Sequence, residues 1–242
     1  WLIKDHSFTS VLSARHFLAT LRTDKRGIAA RPYLGIGDPK LDTAAAGPVL
    51  TRARPPSRGG IEAFKELPET ATELRAVANR FAPGTAEVLL RSEGTEEALR
   101  TRPLGDYDIL HFATHGLLSD DIADLPDAAL LLTPGNAEDK FDDGLLSASE
   151  VSRLWLNARL VILSACNTAR YNVKEASRSV QDLQTAFTIA GAPTMLGTNW
   201  SVDSQGAVTI ITSFFNEWRR EIGPGAAEAL AVAVRTFLAR ES

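Results

Sequence analysis

Short apolar runs in this sequence alternate with longer stretches whose apolar positions follow a helical period. The apolar runs predict buried strands at residues 33–36, 87–90, 107–113, 128–132, 159–163 and 193–197. The periodic stretches predict helices at residues 69–81, 180–190, 204–220 and 226–239. Because the two kinds of element alternate along the chain, we expect an α/β fold with a mostly parallel central sheet and helices on both faces.

Polar residues mark the ends of several predicted elements. Thr95 is expected to cap a short helix that runs through Arg100, and Ser147 with Glu150 forms a capping-box pattern. Three polar segments lack any apolar period and are therefore predicted to be loops, at residues 51–60, 136–143 and 169–179.

Composition narrows the class of protein. The chain has 242 residues, of which 44% are hydrophobic, a formal net charge of -4 and one cysteine. The negative net charge argues against binding to nucleic acid. No apolar run approaches the length of a membrane-spanning helix, which is about 20 residues. We expect protein or peptide partners, with no nucleic acid and no membrane. The lone cysteine excludes an internal disulfide and favours a reducing compartment, so a cytoplasmic location is expected.

The length fits a single domain over residues 1–242. The chain begins at Trp1 without a signal-peptide pattern, so we expect a C-terminal fragment of a larger protein. Residues 1–30 are then a linker or lead-in segment, and an upstream regulatory or repeat domain is expected in the parent chain.

Two of the predicted strands run directly into residues that can do chemistry. One leads to His115 and Gly116, and the other leads to Cys166. Parallel strands open their carboxyl ends onto one crevice, so we expect these residues to lie close together. An imidazole that accepts the thiol proton makes a cysteine a useful nucleophile. The backbone N–H groups of Gly116 and Cys166 are candidates for an oxyanion hole.

Simpler interpretations of the same residues stay open. A free cysteine often behaves as a small buried hydrophobe, so Cys166 alone does not define a site. His115 is equally compatible with a hydrogen-bonded core histidine. No third side chain that would orient the histidine is identified from the sequence.

The sequences of these two strands and of the residues that follow them resemble those of a known family. Residues 108–116 (DILHFATHG) and 160–168 (LVILSACNT) closely resemble the two signature segments of CHAT domains, which belong to the caspase and separase superfamily. The about 50 residues between His115 and Cys166 also match the caspase spacing. Further similarity occurs in order along the chain at residues 35–39, 67–73, 143–150, 186–192 and 199–203.

This resemblance implies a caspase-like fold and a cysteine endopeptidase with a His115–Cys166 dyad. It also implies an enzyme that stays inactive until a partner or an upstream sensor domain acts on it. Asp203 resembles the acidic residues that separases use for a basic P1 side chain, although it can equally be the N-cap of the following helix. Ser164 and Trp200 are further candidate substrate-binding residues.

Other chemistries find little support. His111 and His115 are four residues apart, but the zinc motif needs a helix and a glutamate after the first histidine. Gly35-x-Gly37 lacks the third glycine of a dinucleotide fingerprint. We therefore expect neither a metal nor a cofactor. Two functions remain: a regulated endopeptidase, and a catalytically silent caspase-fold module that binds proteins.

Overall fold

The computed structural model of the chain describes residues 6–7, 29–41, 61, 64–117, 121–122, 125, 127–135, 139, 141–164, 173–197, 204–218 and 225–241. For residues 173–180, 204–205 and 241 it describes the backbone alone. Predicted loop 51–60, residues 169–172 and the predicted site residues Cys166, Trp200 and Asp203 lie outside the described residues.

Strands and helices alternate along much of the described chain, as the apolar pattern predicts, apart from the consecutive strands β3 to β6 and the two closing helices. In chain order they are β1 (Tyr33–Gly37), α1 (Pro68–Ala78), β2 (Ala86–Leu90), α2 (Glu96–Arg100), β3 (Ile109–Ala113), β4 (Gly116–Leu117), β5 (Ala129–Leu131), β6 (Leu145–Ser147), α3 (Ala148–Val151), β7 (Leu160–Leu163), α4 (Val173–Ala190), β8 (Met195–Gly197), α5 (Ser204–Trp218) and α6 (Ala226–Glu241).

Within the part of the chain that the structure describes, the central sheet has five parallel strands in the order β2-β1-β3-β7-β8. This confirms the α/β class and is consistent with a caspase-like arrangement. β3 and β7 are neighbours, and their register pairs Phe112 with Leu163. The two strands therefore end at the same level of the sheet.

Both faces of the central sheet are covered by helices, as predicted. On one face Phe112 packs against Phe187 of α4, with 5.5 Å between the ring centroids. On the other face Tyr33 packs against the α1 and α5 side, where its ring lies 6.3 Å from that of Phe215. Alternate residues of the central strands face the two cores, which explains why these strands are mostly apolar.

A second, antiparallel sheet has the strand order β4-β5-β6. Of its strands only β5 is predicted from the sequence. β4 and β6 have two and three residues, too few to carry an alternating pattern. Two residues separate β4 from β3, so this small sheet holds the chain where it leaves the central sheet.

Two glycines let α1 lie close to the sheet. A Cβ on Gly37 would lie 2.4 Å from the carbonyl oxygen of Ala113 and 2.8 Å from Leu74 Cδ1, and a Cβ on Gly35 would meet Tyr33 and Leu74 at about 3 Å. Gly35-x-Gly37 is thus explained by packing between β1, β3 and α1.

The predicted caps are confirmed. Thr95 Oγ1 accepts the Ala98 N–H over 3.1 Å. The Ser147 N–H donates to Glu150 Oε2 over 2.9 Å, and the Glu150 N–H donates to Ser147 Oγ over 3.2 Å. The cap bonds fix where these short helices begin.

Some predicted boundaries were wrong. α1 ends at Ala78 rather than at Phe81. Residues 173–179 were predicted as part of a polar loop, but α4 already begins at Val173. This stretch contains Lys, Glu, Ala and Arg, which favour helix even without an apolar period. None of the described helices has the length and apolar character needed to cross a bilayer.

Candidate active site at the carboxyl end of the central sheet

His115 lies where the central sheet gives way to the small sheet. The hydroxyl of Thr114 donates to the carbonyl of Leu131, and the Leu131 N–H donates to the His115 carbonyl over 2.9 Å. These bonds fix the backbone on both sides of the histidine. The side chain is held inward, and the residue is only 8% exposed.

The imidazole of His115 is oriented by a backbone carbonyl. Its Nε2 lies 2.7 Å from the carbonyl oxygen of Lys65, in the segment that leads into α1. A carbonyl can only accept, so this contact assigns the ring hydrogen to Nε2. Nδ1 is then left with a lone pair that can take a proton.

The Lys65 carbonyl is the orienting group that sequence reasoning missed. It orients the imidazole of His115 as a third side chain orients the base in known nucleophile and base pairs. Every residue except proline presents the same backbone groups, so no residue type marks such a contact in a sequence.

Burial keeps His115 in its neutral form. Removal from water lowers the pKa of the imidazole below its ordinary value, while the bond to Lys65 and the negative charge of Glu69 act in the opposite direction without offsetting it. The ring of Phe64, with its centroid 5.3 Å away, covers one side. A neutral imidazole near pH 7 is the form that can act as a base.

Gly116 is well oriented to donate its backbone N–H. Gly116 pairs with Leu130 of β5, while the Leu131 N–H donates to the His115 carbonyl. This is the pattern of a non-hydrogen-bonded antiparallel pair, in which the N–H of the paired residue is directed away from the neighbouring strand. The oxyanion role predicted for this N–H is compatible with that direction.

Ser164 is the first residue after β7, beside the end of β3. Its N–H donates to the Phe112 carbonyl over 2.8 Å, which continues the ladder between the strands. Its hydroxyl lies 3.3 Å from Glu73 Oε2. Of the predicted site residues, the structure brings His115, Gly116 and Ser164 to adjacent strand ends. Cys166, Trp200 and Asp203 are outside the described residues, so their roles stay predictions.

A buried polar group lies directly behind these strand ends. His111, fully buried in β3, has its Nδ1 2.9 Å from the hydroxyl of Tyr33 and its Nε2 3.0 Å from Glu73 Oε1. The second pair is close but too poorly aligned to count as a hydrogen bond. Burial and the charge of Glu73 raise the pKa of Tyr33 well above its ordinary value, so the phenol keeps its proton and donates it to Nδ1.

Other parts of the described chain carry no comparable chemistry. Among the described residues no group of three or more His, Cys, Asp or Glu side chains is arranged to hold a metal ion. A cavity of about 550 Å³ lies near the opposite, amino end of the sheet, between Arg102, Gly105 and Trp155. Its lining contains neither histidine nor cysteine, so we assign no reaction to it.

The comparisons with known proteins agree with this geometry at the level of the family. A family model described as CHAT domain matches residues 1–242, the whole chain. No curated protein matches the sequence.

Proposed function

The chain belongs to the CHAT domain family, and we propose on this basis that it is a cysteine endopeptidase that cleaves protein substrates with a His115–Cys166 dyad. The family lies within the caspase-like peptidase superfamily. The observation that carries the proposal is the 2.7 Å contact between His115 Nε2 and the Lys65 carbonyl. It assigns the ring hydrogen to Nε2 and leaves Nδ1 with the lone pair that a general base requires.

The short segment from Ser164 to Cys166 supports the proposal that Cys166 pairs with His115. Ser164 is bonded to the backbone of β3, and Cys166 follows it by two residues. Two residues span at most about 7 Å of extended chain. This reach is compatible with a nucleophile at the edge of the sheet at which His115 lies.

The proposed reaction has two stages, formation of a thioester on Cys166 and hydrolysis of that thioester. His115 Nδ1 takes the proton of the Cys166 thiol, and the thiolate attacks the peptide carbonyl carbon. The oxyanion that forms accepts N–H bonds from Gly116 and Cys166. Protonated His115 gives its proton to the leaving amine, which departs and leaves a thioester. A water molecule, deprotonated by His115, then hydrolyses the thioester to a carboxylate and restores the thiol.

Substrate selection is proposed to depend on Asp203, with Ser164 and Trp200 as further contacts. A carboxylate at the base of a narrow pocket favours Arg or Lys at P1 through a charge-assisted hydrogen bond. The support is the resemblance of residues 199–203 to separases.

Regulation by a partner or an upstream domain is part of the proposal. The base is oriented by Lys65, and residues 65–67 belong to neither a strand nor a helix. A protein that shifts this segment would change the orientation of His115 without disturbing the sheet. We expect a candidate activator to alter amide hydrogen exchange in residues 64–67 together with cleavage.

The test is cleavage of a peptide library by the full-length protein, with the cut sites mapped by mass spectrometry. Cuts that disappear in Cys166→Ala support the peptidase. Cuts after Arg or Lys that disappear in Asp203→Asn support the acidic pocket. Dyad-dependent cuts after apolar residues would contradict the proposed role of Asp203 but would still support the peptidase. No dyad-dependent cleavage, with candidate activators present, would favour a protein-binding module that keeps the fold.

A further inference from the structure

Four buried or half-buried polar residues lie next to one another in the core, joined by two hydrogen bonds and by the close but poorly aligned contact between His111 and Glu73. We call Tyr33, His111, Glu73 and Ser164 the Glu73 network. Its links are 2.9 Å from the Tyr33 hydroxyl to His111 Nδ1, 3.0 Å from His111 Nε2 to Glu73 Oε1, and 3.3 Å from Glu73 Oε2 to Ser164 Oγ. Three strands, β1, β3 and the end of β7, are thereby joined to α1.

A carboxyl group at this place requires an explanation. Glu73 is 2% exposed, and its neighbours in α1, Leu74 and Val77, are fully buried in the apolar core. Burying a carboxyl group away from water is unfavourable unless specific partners take up its oxygens. An apolar residue would fill the space against β1 and β3 without that penalty, but it would not hold Ser164.

The same segment of chain acts on both halves of the proposed dyad. Lys65, just before α1, holds the imidazole of His115 through its carbonyl. Glu73, within α1, holds the hydroxyl of Ser164, two residues before Cys166. Residues 65–73 are therefore in contact with the base directly and with the chain that leads to the nucleophile.

We propose that Glu73 is a positioning residue, which holds Ser164 so that the chain leaves β7 in the direction that presents Cys166 to His115. The inference rests on the proposed function, because it assigns Glu73 to the same dyad. Glu73 touches neither substrate nor the reacting atoms in this account. Its effect passes through the Ser164 hydroxyl, which donates to Oε2.

The test measures the thiol itself and needs no substrate. The full-length protein is alkylated with iodoacetamide over a range of about pH 5 to 9, which spans the ordinary pKa values of His and Cys. Mass spectrometry then follows the peptide that contains Cys166. In Ser164→Ala we expect the rate near neutral pH to fall about tenfold, because the thiol pKa returns toward its free value when His115 is no longer beside it.

Matched variants separate positioning from general stability. Ser152→Ala removes a hydroxyl that donates over 2.7 Å to the Ser149 carbonyl, far from the site, and we expect it to alkylate like the unchanged protein. Ser164→Thr keeps a hydroxyl and should restore the rate. Glu73→Gln keeps the volume but weakens the bond, so a smaller shift in the same direction is expected.

Two outcomes would overturn the inference. One is an alkylation profile of Ser164→Ala that coincides with that of Ser152→Ala. The other is a Ser164→Ala variant that loses peptide cleavage while its alkylation is unchanged, which would make Ser164 a substrate contact. Failure of the proposed function looks different, since the unchanged protein would then cut no peptide even though the Ser164→Ala shift in alkylation is present.

Discussion

The two ends of the central sheet hold their polar groups in opposite ways. At the amino end, long charged side chains pair across the surface: Arg31 and Arg102 both reach Glu87, at 3.1 and 3.0 Å, and Arg159 reaches Asp108 at 2.6 Å. All of these side chains keep contact with water.

Around β3 and β7 the polar groups toward the carboxyl end are buried, whereas the partly exposed Arg91 beyond β2 pairs with Asp38 and Glu66. His115 is held by a backbone carbonyl, and His111 and Glu73 face each other with almost no exposure. Exposed ion pairs contribute little to stability and adjust freely, whereas buried polar groups tolerate only one arrangement. The difference indicates that the carboxyl ends of β3 and β7 are held in one geometry, whereas the charged pairs at the amino end can adjust.

The largest difference in stability between the two ends is expected when a glycine is replaced by alanine, which adds one methyl group. Gly37→Ala should destabilise the chain by about 3 kcal/mol, because the new Cβ would lie 2.4 Å from the Ala113 carbonyl, which is backbone and cannot move aside. Gly105→Ala, at the amino end, is the matched control, since its Cβ would meet nothing nearer than 3.7 Å. Urea unfolding of both variants measures the difference. Equal free energies of unfolding would show that the carboxyl end is packed no more tightly.

A buried acid beyond the carboxyl end of β2 should make stability depend on pH. Burial, reinforced by the negative charge of Asp143, raises the pKa of Glu96 from 4.5 to about 8. The folded chain therefore keeps a proton that the unfolded chain has released, and stability falls as the pH rises between these two values. Each pKa unit is worth about 1.4 kcal/mol, so we expect a loss of about 2 kcal/mol or more over this window.

Glu96→Gln should remove much of that loss, because the amide stays neutral at every pH and can still accept the Gly144 N–H. Thermal unfolding from acid to mildly alkaline pH measures the effect, and Glu97→Gln on the exposed neighbour is the control. A Glu96→Gln variant whose pH dependence equals that of the control would contradict the raised pKa.

The smallest effect is expected at the amino end. Arg159 and Asp108 form a close pair, but their side chains are 36% and 18% exposed. We expect a coupling free energy of about 0.5 kcal/mol from a double-mutant cycle with Arg159→Ala and Asp108→Ala. Arg159 also lies over the Trp218 ring, so the single Arg159→Ala change includes lost packing that the cycle removes. A coupling of several kcal/mol would show that this end is as strictly specified as the other.

The central sheet was predictable because its strands are buried on both faces. β1 and β7 contain only apolar residues and glycine, and β3 is apolar except for His111, so all three runs are visible in the sequence. β4 and β6 were not predictable, because they are paired through backbone bonds over two or three residues. The error at the start of α4 has a similar origin, since helix propensity there is not accompanied by apolar periodicity.

The candidate site also has a part that the sequence predicts and a part that only the fold shows. His115 and Gly116 could be predicted, because they follow a strand in a recognisable segment. The Lys65 carbonyl could not, since it contributes no side chain. Glu73 lies in a segment that resembles the family, but only the fold shows that its carboxyl reaches both His111 and Ser164. Contacts between residues that are distant in sequence can be identified only from the tertiary structure.

The dyad can be tested by alkylation of Cys166 in the full-length protein and in His115→Ala, with His6→Ala on an exposed histidine as the control. In the unchanged protein and the control, a thiol paired with His115 should react as a thiolate with an apparent pKa below about 7.5. In His115→Ala the apparent pKa should rise to about 8.5, that of a free cysteine. Identical profiles for His115→Ala and the unchanged protein would contradict the dyad.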